Sequence, residues 1–363
     1  MNAPTSSLTD SASVKSASPK VRLAEFDCLR GLAILLIVMG HSIFLSQQGF
    51  PMLLENLLRG GTGLFVFISG FFFHRLFYPQ FSYCHFLTKK VKSVFVPFVV
   101  ISLIALSFRC IGWYGDDNEL HIILLNCWYT IRNGFVLYPH WYIPFIMLTF
   151  ICAPLHVAYI KTSPVAQLLL LVFFIAVALV IHRPEFNINP LQSLVYFSAF
   201  YLLGILFSLY ESALNSWNTL LLWLAGLTAL STALLQTYVV HRVGNYHKPA
   251  FEWGGIDWQC MQVLCASIFL LLLFRRLAPG RVYRHLTMLA DYSFPIFFVH
   301  PLFTMAIDNL LHRAIVAGWV ISPGFWPAIG LTAVVFIIQL YGSLLAVKVV
   351  RKYLGKRSKL IVG

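Results

Sequence analysis

Long apolar runs separated by short polar segments dominate the pattern of this chain. A run of about 20 apolar residues can cross the hydrocarbon core of a bilayer as an α-helix. Runs of this kind predict about ten membrane spans, and an even number places both termini on the same side of the membrane. The predicted spans cover residues 28–47, 61–78, 92–111, 141–160, 165–182, 191–210, 218–240, 259–274, 288–311 and 325–347.

The ends of the chain differ from this apolar middle. Residues 1–24 are mostly polar and rich in serine, which is typical of a disordered tail and not of a cleaved signal peptide. Residues 351–363 are rich in Lys and Arg. We therefore predict an all-α fold, in which a polytopic membrane helix bundle over residues 25–350 lies between two short cytoplasmic tails.

Composition and charge support this class and its orientation. Hydrophobic residues make up 59% of the chain and charged residues 11%, against about 25% charged residues in soluble domains. The predicted topology leaves 7 of the 26 Lys and Arg on the side opposite the termini and therefore 19 beside them, so the termini should be cytoplasmic. The net charge of +13 thus indicates orientation and contact with anionic lipids, and no nucleic-acid partner is expected.

Two polar side chains interrupt the first span, FDCLRGLAILLIVMGHS. Arg30 and His41 are eleven residues apart, which places them on one helix face about 16 Å apart along the axis. Ionisable groups within a membrane helix usually face the protein interior or an aqueous cavity. This face predicts a polar channel along the helix. In the alternative interpretation, Arg30 anchors to lipid headgroups and His41 bonds to a neighbouring helix.

Loops on the predicted outer face contain both carboxylates and aromatic residues. They cover residues 112–140 and 241–258. Such a mixture suits a polyhydroxylated ligand, although Trp and Tyr at a membrane edge are also common interfacial anchors. The seven cysteines are scattered and are interpreted as small buried apolar side chains. No HxxxH or HExxH pattern is present, so no metal is expected, while a haem held by histidines from two helices stays open.

Four motifs, taken together and in order, resemble the membrane acyltransferase-3 family. The hallmark of that family is Arg, ten residues and His in the first span, which Arg30 and His41 match. A glycine-rich second span, an aromatic block and a late Asp-x-Ser-aromatic-Pro run closed by His follow. The matching stretches are residues 26–42, 61–73, 140–148 and 291–301. One departure is that Lys89 and Lys92 stand where the family often has an Arg-x-x-Arg pair, and Lys lacks the bidentate fork of Arg.

The resemblance implies transfer of an acyl group, acetyl in the usual case, from cytoplasmic acyl-CoA to a hydroxyl of a carbohydrate. Acetyl-CoA would be the donor substrate and no bound cofactor is implied. The expected acceptor is a surface-glycan or lipid-linked sugar at the outer face, such as an exopolysaccharide repeat unit on its lipid carrier. The expected location is the bacterial inner membrane, with membrane lipids as further partners.

The resemblance also assigns roles to particular residues. His41 would act as general base on the acceptor hydroxyl or as the nucleophile that takes the acyl group, and both routes stay open. Arg30, Lys89 and Lys92 would bind the donor phosphates. His300 lies at a comparable depth and would help to position a substrate, beside a kink and a freed carbonyl at Pro295.

Acceptor binding is expected from residues on the outer side. The predicted acceptor residues are His140, Trp141, Tyr142 and Glu252. The alternative from another class is a secondary transporter, with Arg30 and His41 in a substrate or proton pathway. The lack of detectable internal repeats argues against that alternative. An inactive relative that acts as a scaffold is a third possibility.

Overall fold

A computed structural model describes residues 23–115, 118–244 and 246–363. Most of the predicted N-terminal tail, residues 1–22, therefore lies outside the described residues. Over the described ranges the protein is helical, with two isolated β-bridges and no β-strand. The helices are α1 (Ala24–Ser42), α2 (Met52–Leu58), α3 (Gly61–Phe72), α4 (Tyr83–Lys90), α5 (Val96–Gly115), α6 (Leu120–Arg132), α7 (Tyr142–Ile151), α8 (Ala153–Lys161), α9 (Pro164–Ile181), α10 (Pro190–Leu209), α11 (Glu211–Ser216), α12 (Asn218–Tyr238), α13 (Trp258–Arg276), α14 (Arg281–Val316) and α15 (Phe325–Leu354).

Eight helical stretches in the described part of the chain are long and apolar enough to cross a membrane. A ninth results if α7 and α8, which meet at an angle of 52°, form one broken span. Helix α1 is not among them because Glu25, Asp27 and Arg30 fall within its 19 residues. Each of the ten predicted ranges coincides with a helix or with this bent pair, but α1 differs in kind from the others.

Helix α1 lies inside the bundle. It packs against α3, α13, α14 and α15, and side chains such as Phe26, Leu29 and Ile34 are fully buried. Helices α9 and α12 lie at the periphery, where most of their residues remain uncovered by protein. A central position explains how α1 can carry charged groups, because protein and not lipid surrounds them.

Glycines let the central helices approach until their backbones touch. A Cβ atom at Gly31 of α1 would lie 2.0 Å from the carbonyl oxygen of Leu286 in α14. A Cβ atom at Gly70 of α3 would lie 2.0 Å from the carbonyl oxygen of Tyr201 in α10. Small residues at such crossings are typical of membrane helices, where close packing replaces the hydrophobic driving force.

Helix α14 runs through both of its prolines as one element of 36 residues. Pro295 has no N–H, so the carbonyl of Asp291 one turn earlier loses its partner within the helix. The guanidinium of Arg351 in α15 donates to that carbonyl at 3.3 Å. The carbonyl one turn before Pro295 therefore connects α14 to α15.

The basic segment predicted as a tail folds back onto the bundle. Helix α15 extends to Leu354, and a 3₁₀ turn covers Gly355–Leu360. Val362 is buried against Val299 and Val347. Residues 351–363 thus form part of the structure, beside the first half of α14 and the end of α15.

Candidate functional site

A cavity of about 230 Å³ surrounds His41, near the end of α1. We call it the outer cavity because His41 lies in the outer half of the proposed topology. The glycine-rich start of α3 forms one wall, and residues of α10 and α13 form another. Its polar lining comprises His41, Arg59, Thr62, Tyr138, Trp141, Arg183, Tyr196 and Gln259.

His300 of α14 lies directly beside His41. The centroids of the two imidazole rings are 5.6 Å apart, and the ring of Tyr138 lies 6.2 Å from that of His41. His300 is fully buried, and its Nδ1 contacts the carbonyl oxygen of Ile296 at 3.0 Å. Because a carbonyl only accepts, Nδ1 carries the proton, which leaves Nε2 as an acceptor. That Nε2 has no hydrogen-bond partner among the described residues.

His140 and His300 both lie beside Phe297. The ring of Phe297 is 6.0 Å from that of His140 and 6.1 Å from that of His300. His140 donates from Nε2 to the carbonyl oxygen of Phe298 at 3.3 Å. His140 is fully buried and therefore supports α14 behind the cavity.

Arg183 brings a cation into the outer cavity from the turn after α9. Its guanidinium lies 4.5 Å from the ring centroid of Trp141 and donates to Asn187 Oδ1 at 3.0 Å. Asn187 in turn donates to the hydroxyl of Tyr138 at 2.7 Å. The Nε of Arg183 is buried without a partner, and none of the ion pairs between described residues includes this side chain.

Trp141 packs against Arg183 and does not present an exposed ring face. Its side chain is 4% exposed. Its ring stacks against Phe145 and Phe197 with centroid distances of 5.6 and 5.9 Å. The guanidinium of Arg183 adds a cation–π contact to this stack, which fixes the position of the charge.

The loop after α12 and the turn after α9 meet beside the outer cavity. Tyr196 of α10 donates to Asp257 Oδ2 at 2.9 Å, and Asp257 Oδ1 accepts from the N–H of Cys260 at the start of α13. Burial raises the pKa of Asp257, while these hydrogen bonds oppose the rise. In the same loop, His247 donates from Nδ1 to the carbonyl oxygen of Pro184, in the turn after α9, at 2.8 Å. Burial and the nearby charge of Arg183 lower the pKa of His247 to about 3, so this side chain is neutral.

A second cavity of about 470 Å³ lies around the other end of α1, and we call it the inner cavity. Three cationic side chains line it, namely Arg30, Lys90 and Arg351. The amine of Lys90 lies among aromatic rings, 4.9 Å from the centroid of Phe77 and 4.5 Å from that of Phe150. Arg30, which is 3.8 Å from Asp27, brings the first helix to the same cavity.

Neighbouring residues of two helices line the two cavities. Along α10, Phe200 lines the outer cavity and the next residue, Tyr201, lines the inner cavity. Along α3, Gly63 lines the outer cavity and Phe65 the inner one. Tyr142 interacts with Ser69, which also lines the inner cavity. The linings of the two cavities therefore adjoin along α3 and α10.

The predicted site residues separate into three groups. His41 and Trp141 line the outer cavity and Arg30 lines the inner one. The second group, His140, Tyr142 and His300, is buried against the walls. The third group, Lys89, Lys92 and Glu252, is exposed and lines neither cavity, although Lys89 lies 5.3 Å from the ring of Phe77 at the inner rim.

The sequence does not single out several further residues that line the cavities. Lys90 lies inside the KKVK run, where the pattern does not distinguish the inward-facing lysine, and Arg351 falls within the segment predicted as a tail. From the sequence, Arg59 and Arg183 are recognisable only as cations on the predicted outer side. Arg59 forms an ion pair with the fully buried Glu55 of α2. No group of three or more His, Cys, Asp or Glu in the described part of the chain could hold a metal ion.

A helical bundle with apolar stretches of membrane length, and with a polar cavity at each end of a shielded, charged helix, is typical of an integral membrane protein. A sequence model of the family described as Acyltransferase domain matches residues 23–347. The chain belongs to this family, acyltransferase-3, which confirms the resemblance and supports a membrane acyltransferase. Neither a curated protein nor a solved structure matches the chain.

Proposed function

We propose that the protein is a membrane O-acyltransferase that moves an acetyl group from cytoplasmic acetyl-CoA to a sugar hydroxyl at the outer face. The adjoining linings of the two cavities support this proposal most strongly. A donor in the inner cavity and an acceptor in the outer cavity would be held by neighbouring residues of α3 and α10. This arrangement suits a short acyl group carried on a thin thioester arm, and neither substrate has to cross the membrane.

On the donor side, the phosphates of CoA would bind to the cations of the inner cavity. Arg30, Lys90 and Arg351 line that cavity, and Lys89 lies at its rim. Cationic side chains make charge-assisted hydrogen bonds to phosphate, and Arg can bind it through two N–H groups. We assign Lys92 a lesser part because its side chain is exposed and lines neither cavity.

On the acceptor side, His41 would take the proton of the sugar hydroxyl or the acyl group itself. An imidazole can do either near neutral pH because its unperturbed pKa is about 6.5. No donor among the described residues contacts Nε2 of His300, so this atom is available to orient the His41 ring. Arg183 would stabilise the negative charge that develops on the acyl carbonyl oxygen.

The acceptor that suits this site is a glycan sugar. The outer cavity of about 230 Å³ accommodates about one sugar ring, and its lining combines Tyr138 and Tyr196 with hydrogen-bonding groups. By analogy with the family, we propose an exopolysaccharide unit on its lipid carrier in a bacterial inner membrane. Glu252 would contact only parts of the glycan beyond this cavity.

The central experiment measures transfer of radiolabelled acetyl from acetyl-CoA to host glycan by the purified protein. His41→Ala should remove transfer while folded protein remains in the membrane. His121→Ala changes an exposed histidine of α6 and is the matched control. Near-normal transfer by His41→Ala would contradict the mechanism, and uptake of intact substrate into vesicles without acetyl transfer would favour a secondary transporter.

The two chemical routes for His41 can be distinguished by supplying acetyl-CoA without an acceptor. A nucleophilic route leaves labelled acetyl on the protein when acetyl-CoA is supplied alone, and His41→Ala abolishes that label. A general-base route leaves no label on the protein under the same conditions.

A further inference from the structure

Two cysteines face each other near the end of the α5–α6 hairpin. The Sγ atoms of Cys110 in α5 and Cys127 in α6 are 3.4 Å apart. Both side chains are partly exposed. A disulfide bond needs the sulfurs at about 2.05 Å, so a shift of about 1.4 Å would join them.

Neither a metal site nor a buried apolar role suits this pair of cysteines. A metal site would need further ligands, and no cluster of three His, Cys, Asp or Glu exists within the described ranges. A buried apolar role, the expectation from the sequence, does not fit two partly exposed thiols in mutual contact. Cys260, in contrast, is fully buried and fits that role.

Helix α6 is weakly attached to the bundle. Ile123 is the one residue of α6 that is buried. Leu124 and Trp128 are each 61% exposed. A covalent tie between α5 and α6 would close a segment with 16 residues between the cysteines, and such a link restricts the unfolded chain.

We propose that Cys110 and Cys127 form a disulfide bond that fixes the α5–α6 hairpin at the outer face. This inference rests on the orientation in the proposed function, which places this hairpin on the oxidising side. A disulfide-bearing oxidant accepts the two electrons by thiol–disulfide exchange. The two S–H bonds break, the Cys110–Cys127 S–S bond forms, and the oxidant leaves as two thiols.

The bond would also hold one wall of a groove beside the outer cavity. This side groove of about 410 Å³ lies between α5 and α14 and includes Arg109 and Gly112, on either side of Cys110. Tyr138 lines both the side groove and the outer cavity. A fixed α5–α6 hairpin therefore keeps the groove open next to the proposed acceptor site.

The test traps thiols in intact cells with one maleimide, then reduces the purified full chain and labels it with a second, heavier maleimide. Cys110 and Cys127 should carry only the second label in peptide mass spectrometry. Cys84, exposed on the inner side of the proposed topology, should carry the first label and is the internal control. Replacing either partner, as in Cys110→Ser, should make the other react with the first label.

First-label modification of Cys110 and Cys127 to the extent seen for Cys84 overturns the proposal. A second measurement is the Tm of the full chain, which reducing agent should lower by several degrees in the wild type and leave unchanged in the Cys110→Ser, Cys127→Ser double variant. An equal Tm with and without reductant would contradict the tie. Acetyl transfer is measured separately, so free thiols with normal transfer refute only the disulfide.

Discussion

Replacing Lys90 tests the donor side of the proposed function most directly. Its amine is held among the rings of Phe77, Phe86 and Phe150 at centroid distances of 4.9, 5.5 and 4.5 Å, and it lines the inner cavity. In Lys90→Gln one cation is lost beside the expected position of the CoA phosphates. A hydrogen bond to a charged group contributes about 1.5–3 kcal/mol, which corresponds to about 10- to 150-fold in Kd.

The assay is equilibrium binding of labelled CoA to the detergent-purified protein at low and high salt. Lys90→Gln should weaken binding by that factor, and the loss should shrink at high salt because screening already weakens the wild-type contact. Lys90→Arg keeps both the charge and the contact with the rings and should bind within a few-fold of wild type. The matched control is Lys92→Gln, two residues away and exposed.

The reasoning is refuted if Lys90→Gln binds CoA as tightly as wild type. It is also refuted if Lys92→Gln and Lys90→Gln weaken binding equally, since the cavity lining would then not decide the contact. Loss of folded protein in Lys90→Gln would be visible in its elution profile. In that case the salt dependence of CoA binding by Lys90→Arg tests the contact.

Three further predictions concern other parts of the structure. Gly70→Ala should sharply reduce the yield of folded protein because the added Cβ meets the carbonyl oxygen of Tyr201. Gly112→Ala should be tolerated because a Cβ there has nothing within 4 Å. Fluorescence-detected size exclusion compares the two variants. Arg183→Gln should lower the rate of acetyl transfer by about 10²- to 10³-fold and leave CoA binding unchanged, and a larger effect on CoA affinity than on rate would contradict its assigned role. The pKa of His247 is about 3 in the folded state and about 6.5 in the unfolded state, so the unfolded state binds more protons between these pH values. The contribution of His247 to stability is therefore complete above about pH 6.5 and decreases as the pH falls toward 3. His247→Gln should flatten the dependence of Tm on pH in that window.

The helices could be predicted from the sequence because their signal is local. Apolar length marks each of the ten predicted ranges, and the 3.6-residue period places Arg30 and His41 on one face. The depth argument for His300 also holds, since its ring lies 5.6 Å from that of His41. These features depend on distance along one helix and not on which helices are neighbours.

The remaining site residues depend on tertiary structure. A π-helical turn at Val91–Phe95 follows Lys90 and changes the register of the KKVK run, so spacing does not reveal which lysine faces inward. Arg183 reaches the outer cavity through a turn in which His182 has a φ of 58°, a conformation that composition does not indicate. The prediction for Glu252 depends on its loop, but the backbone turns its side chain to solvent.

The location of the two cavities at opposite ends of α1 has an electrical consequence. Suppose that the proton of the acceptor hydroxyl passes through His41 to the departing CoA thiolate. In each turnover the acyl group then moves outward as the equivalent of one positive charge, and one proton moves inward. No net charge then crosses the membrane, so clamping the potential of a proteoliposome should leave the rate unchanged. If the proton instead leaves to the outer solution and the thiolate takes one from the inside, every acetyl transferred exports one positive charge, and the lumen on the donor side becomes alkaline.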